Sequence, residues 1–483
     1  MRVLLAILCC AALAAADELR IGVYVGPGSD AQDAQALQAL LQEAGLSVAP
    51  VTTAELGEVD VLVVGGGSGN RLGEGLGEAG GQRVATFVRE GGGYLGIGAG
   101  AYLGARGYSA ETGVLELADA RVVDSGGWRG RGTADVELVP LESPLDALPE
   151  LARYDHGPLF APAGGHRRVA YTPWASYAHD LPRDGGNGAM PGTHALLGTS
   201  YGRGRVVLSG VQPQARPETQ GLVAELARWA GGEGQGVSAR TPEPPPGAIP
   251  VAVFDDVGSI DGCVEAVIQD ARADPRLWLR RIDGKDVRAG ALEDYAAVVF
   301  PGGSATKQSN SLAPEGQERV RAFVRGGGGY LGICAGAYLA ASEPTRYGLG
   351  ITALRCVDTK HWRRIPRDSG GVIVRLLPSA AYRAFEPEVE PPTFLVYANG
   401  PLLAPGDYPE LPPVTPLLVF ESDVHAADAP PGNMPEKVAA AATVYGEGRV
   451  VVFSPHPELT RGRGKAVVQA LRWTSRAPEP QAQ

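Results

Sequence analysis

Short, unbroken apolar runs recur along this chain at a spacing that fits a sheet covered by helices. LRIGVYV (19–25), IPVAVFDD (249–256), YAAVVF (295–300), YLGI (330–333) and the VVVF before Ser454 are all of strand length. They lack the polar alternation of a half-exposed strand, which is the pattern of strands buried on both faces. Between them the pattern turns helical: a helix is expected after Gly262, an amphipathic one around Pro314 to Val324, and another opening at Ala335. Strands alternating with helices predict an α/β fold with a mostly parallel sheet, in which ligands sit beyond the carboxyl ends of the strands.

The pattern is written twice. VATFVREGGGYLGIGAGAYLGA (84–105) and VRAFVRGGGGYLGICAGAYLAA (320–341) agree at 17 of 22 positions. YGRGRVVLSG (201–210) is echoed by YGEGRVVVFS (445–454), RVVDSGGWRGR (121–131) by RCVDTKHWRRI (355–365), and YDHGPLFAP (154–162) by YANGPLLAP (397–405). Collinear echoes over this length mean a duplicated domain, not a short-period solenoid. The expected organisation is a first domain over 17–230, a Gly/Pro-rich linker over 231–248, a second domain over 249–474 and a disordered tail over 475–483.

Composition narrows the class. With 483 residues, 44% hydrophobic, the chain is long enough for two cores. Its 54 acidic against 43 basic residues give a formal charge of −11, and without a basic run this argues against nucleic acid or an anionic membrane as partner. Residues 1–16 read as a secretory signal: one Arg, an apolar stretch from Val3 to about Leu13, then Ala14-Ala15-Ala16 before Asp17. Cys9 and Cys10 fall in that stretch without the small residues that precede a lipoprotein processing site. The expected location is therefore outside the cytoplasm, and no later segment has the length of a membrane span. Cleavage would leave Cys263, Cys334 and Cys356, an odd number, so at least one thiol stays unpaired within the chain; a Cys263–Cys356 disulfide is open on sequence alone.

One cysteine stands out. In YLGICAGAY, Cys334 lies where a strand turns into a helix, with Gly332 and Gly336 two positions to either side. Such glycines permit a sharp turn that exposes a side chain at the strand end, and the N-terminus of the following helix favours a thiolate. In VVVFSPHPELT, His456 follows a strand, and Glu458, two residues on, shares its direction in extended backbone and can orient the imidazole. Cys334, His456 and Glu458 thus form a candidate nucleophile, base and orienter. The candidate oxyanion donors are the amides of Ala335 and of Gly302 and Gly303 in the turn after the neighbouring strand. No cluster has metal-ligand spacing and no glycine run matches a dinucleotide or phosphate fingerprint, so neither metal nor cofactor is expected.

GxCxG after a strand, HPE late in the domain and PGG upstream resemble class I glutamine amidotransferase-like domains. FPGG, FVRGGGGYLGICAGAYLAAS and SPHPE are similar in particular to the amidotransferase-like domain at the N-terminus of biotin-protein ligases. The resemblance spans 249–474 and, diluted, the first copy. It implies two flavodoxin-like three-layer (αβα) domains, with Cys334 as nucleophile, His456 as base and Glu458 as its orienter. The first copy departs at each of these positions, with Gly98, Gln212 and Gln214 in their places.

The leading expectation is a cysteine hydrolase acting on a small-molecule or peptide amide through a thioester on Cys334. A glutaminase needing a separate synthase partner is the alternative within enzymes, and a ligand- or protein-binding module the alternative outside them. His361 is read as a substrate contact, Trp362 and its counterpart Trp128 as packing, and Asn399 either as support for a turn or as a pocket-lining amide. The loops 173–194 and 421–437, with their echo of Asn187, Met190 and Pro191 in Asn433, Met434 and Pro435, carry no decodable specificity.

Overall fold

The computed structural model describes residues 19–107, 115–124, 127, 131–181, 188–237, 240–343, 347–366 and 370–476. Residues 1–18, among them the expected signal, Trp128, Asn187 and the end of the tail lie outside the described residues. Two compact units result, Met1–Ala163 with Val169–Thr241, and Gly164–Arg168 with Pro242–Gln483.

In the second unit five strands run parallel, in the spatial order Leu277–Ile282, Ile249–Phe254, Ala297–Phe300, Gly329–Ile333, Gly448–Phe453. Their continuous apolar runs are explained by cover on both faces. Val251, Val253, Val299, Leu331 and Val451 pack with the helices Asp261–Ala271 and Gly464–Thr474. The alternate residues Ala252, Phe254, Val298, Phe300 and Val450 pack on the other face with Leu312, Val320 and Val324 of the helix Ala305–Arg325. The first unit repeats the order with Ser47–Val51, Arg20–Tyr24, Val61–Val64, Gly93–Ile97 and Gly204–Ser209.

Beyond this parallel core both sheets continue in a way the apolar runs do not announce. Gly448–Phe453 pairs antiparallel with Val438–Tyr445, and further, mostly antiparallel strands bring the sheet to 12 strands among the described residues, against 11 in the first unit. Some of these outer strands alternate: in Val372–Pro378 buried residues take every second position and the side chains between them face solvent. A half-exposed strand shows a period of two, not an apolar block.

The helix around Pro314 is longer than expected and broken. Helical residues extend from Ala305 to Arg325, with Ala313 at φ 55°, ψ 170°. Pro314 cannot donate an amide and restricts the residue before it, so the chain turns at Ala313 and the second helical stretch starts at the proline. The first unit has the same break at the matching position, where Gly77 has φ 55°, ψ −174°. That region of backbone is nearly exclusive to glycine. Ala313→Gly is therefore expected to stabilise the second unit by about 1 kcal/mol, and Gly77→Ala to destabilise the first by at least as much. Urea denaturation of each variant beside the parent chain checks both signs.

Candidate active site

Three neighbouring parallel strands deliver the candidate residues to one edge. Phe300 pairs with Gly332 and Ile333 with Phe453, so the turn at Gly302, the turn at Cys334 and the segment carrying His456 leave the sheet side by side. Cys334 has φ 50°, ψ −96°, a backbone that L residues rarely adopt, and caps the six-residue helix Ala335–Ala340. Its amide donates to the Phe453 carbonyl at 2.8 Å, its thiol to the Ala398 carbonyl at 3.7 Å.

His456 is 2% exposed and Glu458 7%. Nδ1 of His456 and Oε1 of Glu458 are 2.7 Å apart, the contact the two-residue spacing predicts. The imidazole is further fixed from its backbone: the His456 amide donates to the Val396 carbonyl at 2.7 Å, and its carbonyl accepts from the Thr460 hydroxyl at 2.6 Å. Burial alone would make this imidazole a weaker base. The Glu458 carboxylate, and after it the thiols of Cys334 and Cys263, outweigh burial and hold the His456 pKa well above its ordinary value. Both thiols lie against the ring, yet neither aligns with Nε2, which is buried without a hydrogen-bond partner, as is Oε2 of Glu458.

Among the described residues the amides of Gly302 and Ala335 have no acceptor. Gly302 must be glycine: a Cβ there would stand 2.6 Å from Cε1 of His456 and 2.8 Å from the Cys263 sulfur. Gly303, at φ 148°, packs against the Gly258 carbonyl and shapes the turn. Asn399, at φ 62°, spends its side chain on the backbone, accepting from the Arg364 and Ile365 amides at 2.7 and 2.9 Å and donating to the Ile365 carbonyl at 2.9 Å. That is the turn-supporting role. His361 bonds Asp358 at 2.6 Å, and Asp358 also holds the buried guanidinium of Arg364 at 3.0 Å. Trp362 does not pack inside: it is 39% exposed, with Arg363 over its ring, because Arg364 fills the interior position of this loop.

Two residues were missed by sequence reasoning. Cys263 is not disulfide-bonded; all three described cysteines are free, and Cys356 belongs to the core on the opposite face of the sheet. Instead, Cys263 stands at the imidazole. The signal that could have found it is the alignment of GSIDGC (258–263) with GSDAQD (28–33), which sets Cys263 opposite Asp33. Asp270, on the same helix as Cys263, has its carboxyl pushed up to about 6, first by burial and then by the charge of Glu458.

The first unit keeps the turn and closes the site. Gly98 has φ 56°, ψ −108°, and its amide donates to the Ser209 carbonyl at 2.9 Å. Asp33 fills the space at the neighbouring turn: one carboxylate oxygen accepts the Gly66 amide at 2.6 Å, the other accepts from Nε2 of Gln214 at 2.7 Å. Gly66 corresponds to Gly302, so the amide left open in the second unit is plugged here by the chain's own carboxylate.

Residues 20–124 and 251–373 match the family model described as biotin-protein ligase, N terminal. Among solved structures the chain is similar to a glutamine amidotransferase, at 19% identity and TM-score 0.32 over 47% of this chain and 99% of that one. It is also similar to a putative ThuA-like protein from Parabacteroides merdae, at 14% identity and TM-score 0.33 over 49% and 93% of the two chains. A third is a putative GMP synthase component from Thermoplasma acidophilum, at 12% identity and TM-score 0.31 over 48% and 95%. No curated protein matches the chain.

The carboxyl of Asp270 yields a pH prediction with a definite sign. Its folded pKa lies above the unfolded value of about 3.9, so the folded state prefers it protonated; stability is lost as pH rises from about 4 to about 6 and is level above that. Because the residue is only partly buried, solvent screening reduces the effect to on the order of 1 kcal/mol. Asp270→Asn should raise the melting temperature at pH 7 and leave it near the parent's at pH 4, as read by calorimetry at both.

Proposed function

Taking the chain as a glutamine amidotransferase-like protein, both halves of which resemble the biotin-protein ligase N-terminal domain, we propose that its second unit is an amide hydrolase with Cys334 as nucleophile. The observation that carries this reading is the buried Cys334, His456 and Glu458 arrangement beside two open amides, set against a first unit in which the same amide is plugged by Asp33. Sγ of Cys334 attacks the amide carbon while its proton passes to His456. The carbonyl oxygen, now an oxyanion, is held by the amides of Gly302 and Ala335. His456 then protonates the leaving nitrogen, the C–N bond breaks, and a thioester remains on Cys334. Water, deprotonated by His456, attacks the thioester; the acid leaves and the thiol takes back its proton. Glu458 stays on Nδ1 throughout and steadies the imidazolium.

Cys334 is 5% exposed and its thiol is engaged by Ala398, which favours, as the second reading, a closed module that binds without turnover. Export is part of the proposal: residues 1–16 are taken as a cleaved signal, so the mature chain would begin at Asp17.

Incubation with a panel of amides headed by glutamine separates these readings, with ammonia release followed and the intact mass recorded. Turnover is expected, with an acyl mass increment on Cys334. It should vanish in Cys334→Ala and fall by about 10²- to 10⁴-fold in His456→Ala. No ammonia and no adduct with any amide would leave the binding module, and an intact mass from the producing cell that still includes residues 1–16 would remove export.

A further inference from the structure

Cys263 is left without a task by the acyl chemistry. Its counterpart Asp33 satisfies the Gly66 amide and Gln214 in the first unit, whereas no alignment of Cys263 with the Gly302 amide is seen in the second. What Cys263 does have is company. Its sulfur, a ring nitrogen of His456 and a carboxylate oxygen of Glu458 all lie within 4.8 Å of one another, and all three side chains are buried. Two atoms of this group, Nε2 of His456 and Oε2 of Glu458, are buried without hydrogen-bond partners. Buried polar atoms in that state await either a partner or a ligand.

The donor set is chemically specific. A thiolate, an imidazole and a carboxylate suit zinc(II) and its relatives, and three protein donors are the number that leaves a fourth position open on a tetrahedral ion. The three come from sequence positions almost 200 residues apart, on the first helix of the unit and on the segment after its central strand, so ligand spacing along the chain could not reveal them.

We propose that Cys263, His456 and Glu458 form a binding site for a thiophilic divalent cation of the zinc(II) class, and that its occupation removes the base from Cys334 and so switches the acyl chemistry off. On binding, the Cys263 thiol and the His456 imidazolium each release a proton to solvent, so binding strengthens as pH rises. Cation and substrate then compete for one imidazole. The site rests on the placement of its ligands and is tested without a substrate, whereas the switch rests on the hydrolase reading.

The probe is Co2+, titrated into the full-length mature protein under a phosphine reductant. One cobalt per chain is expected, with a thiolate-to-cobalt charge-transfer band and the visible bands of a four-coordinate ion, both erased by Zn2+. Cys263→Ser should lose the charge-transfer band, Glu458→Gln should weaken binding by roughly 10-fold or more, and Cys356→Ser should behave as the parent. Melting curves establish that each variant is folded; if Cys263→Ser is not, the Glu458→Gln titration decides. A parent spectrum without the charge-transfer band, a band that survives in folded Cys263→Ser, or unchanged affinity in Glu458→Gln would overturn the site.

Discussion

The hydrogen bond from the Cys334 amide to the Phe453 carbonyl, 2.8 Å long, ties the turn after one central strand to the end of the next. It holds residue 334 at a positive φ, and from that backbone the side chain points to where His456 arrives on the adjoining strand. Gly98 makes the same bond to Ser209 at 2.9 Å and keeps nearly the same φ and ψ without a side chain to place. The turn is therefore a requirement of the sheet-to-helix junction. The thiol is an addition to it, on a backbone that glycine adopts freely and that is strained for a residue with a side chain.

Comparison of the two units separates chemistry from scaffold. Both retain a Tyr from the strand before the turn whose hydroxyl reaches the helix beyond it, Tyr94 to the Gly100 carbonyl at 2.7 Å and Tyr330 to that of Gly336 at 2.8 Å. Both hold a buried Arg on an Asp of left-handed backbone, Arg131 on Asp124 and Arg364 on Asp358, although the aligned sequences displace that Arg by one position. In the pocket, Cys334, His456, Glu458 and Cys263 of the second unit stand where the first has Gly98, Gln212, Gln214 and Asp33. The amide of Gly66, whose counterpart at Gly302 is open, is satisfied by Asp33, so the turn of the first unit is closed by a residue of its own.

Much of this was legible in the chain. Unbroken apolar runs gave away the parallel core because burial on two faces leaves no room for polar alternation. The spacing of His456 and Glu458 predicted their contact because extended backbone sends alternate side chains the same way. Outer strands such as Val372–Pro378 were not legible as blocks, since they face solvent on one side. Cys263 was hidden because its neighbours are brought to it by strand order across the sheet, a relation that distance along the sequence does not carry. Asn399 was readable in kind, as turn support or pocket amide, but only its three backbone contacts decide for the turn.

The central claim is that His456, held above its ordinary pKa beside Glu458, activates Cys334. Its most direct measurement is the rate of Cys334 alkylation by iodoacetamide from about pH 5 to 9, in the parent chain and in His456→Ala, with the modified sites mapped by mass spectrometry. Cys356, whose thiol burial pushes up to about 12, serves as the internal unreactive control. The account predicts a Cys334 that reacts well below the ordinary thiol pKa of about 8.5 and loses that advantage without His456. A Cys334 that titrates as a free thiol in both proteins, or resists the reagent as Cys356 does, would contradict it.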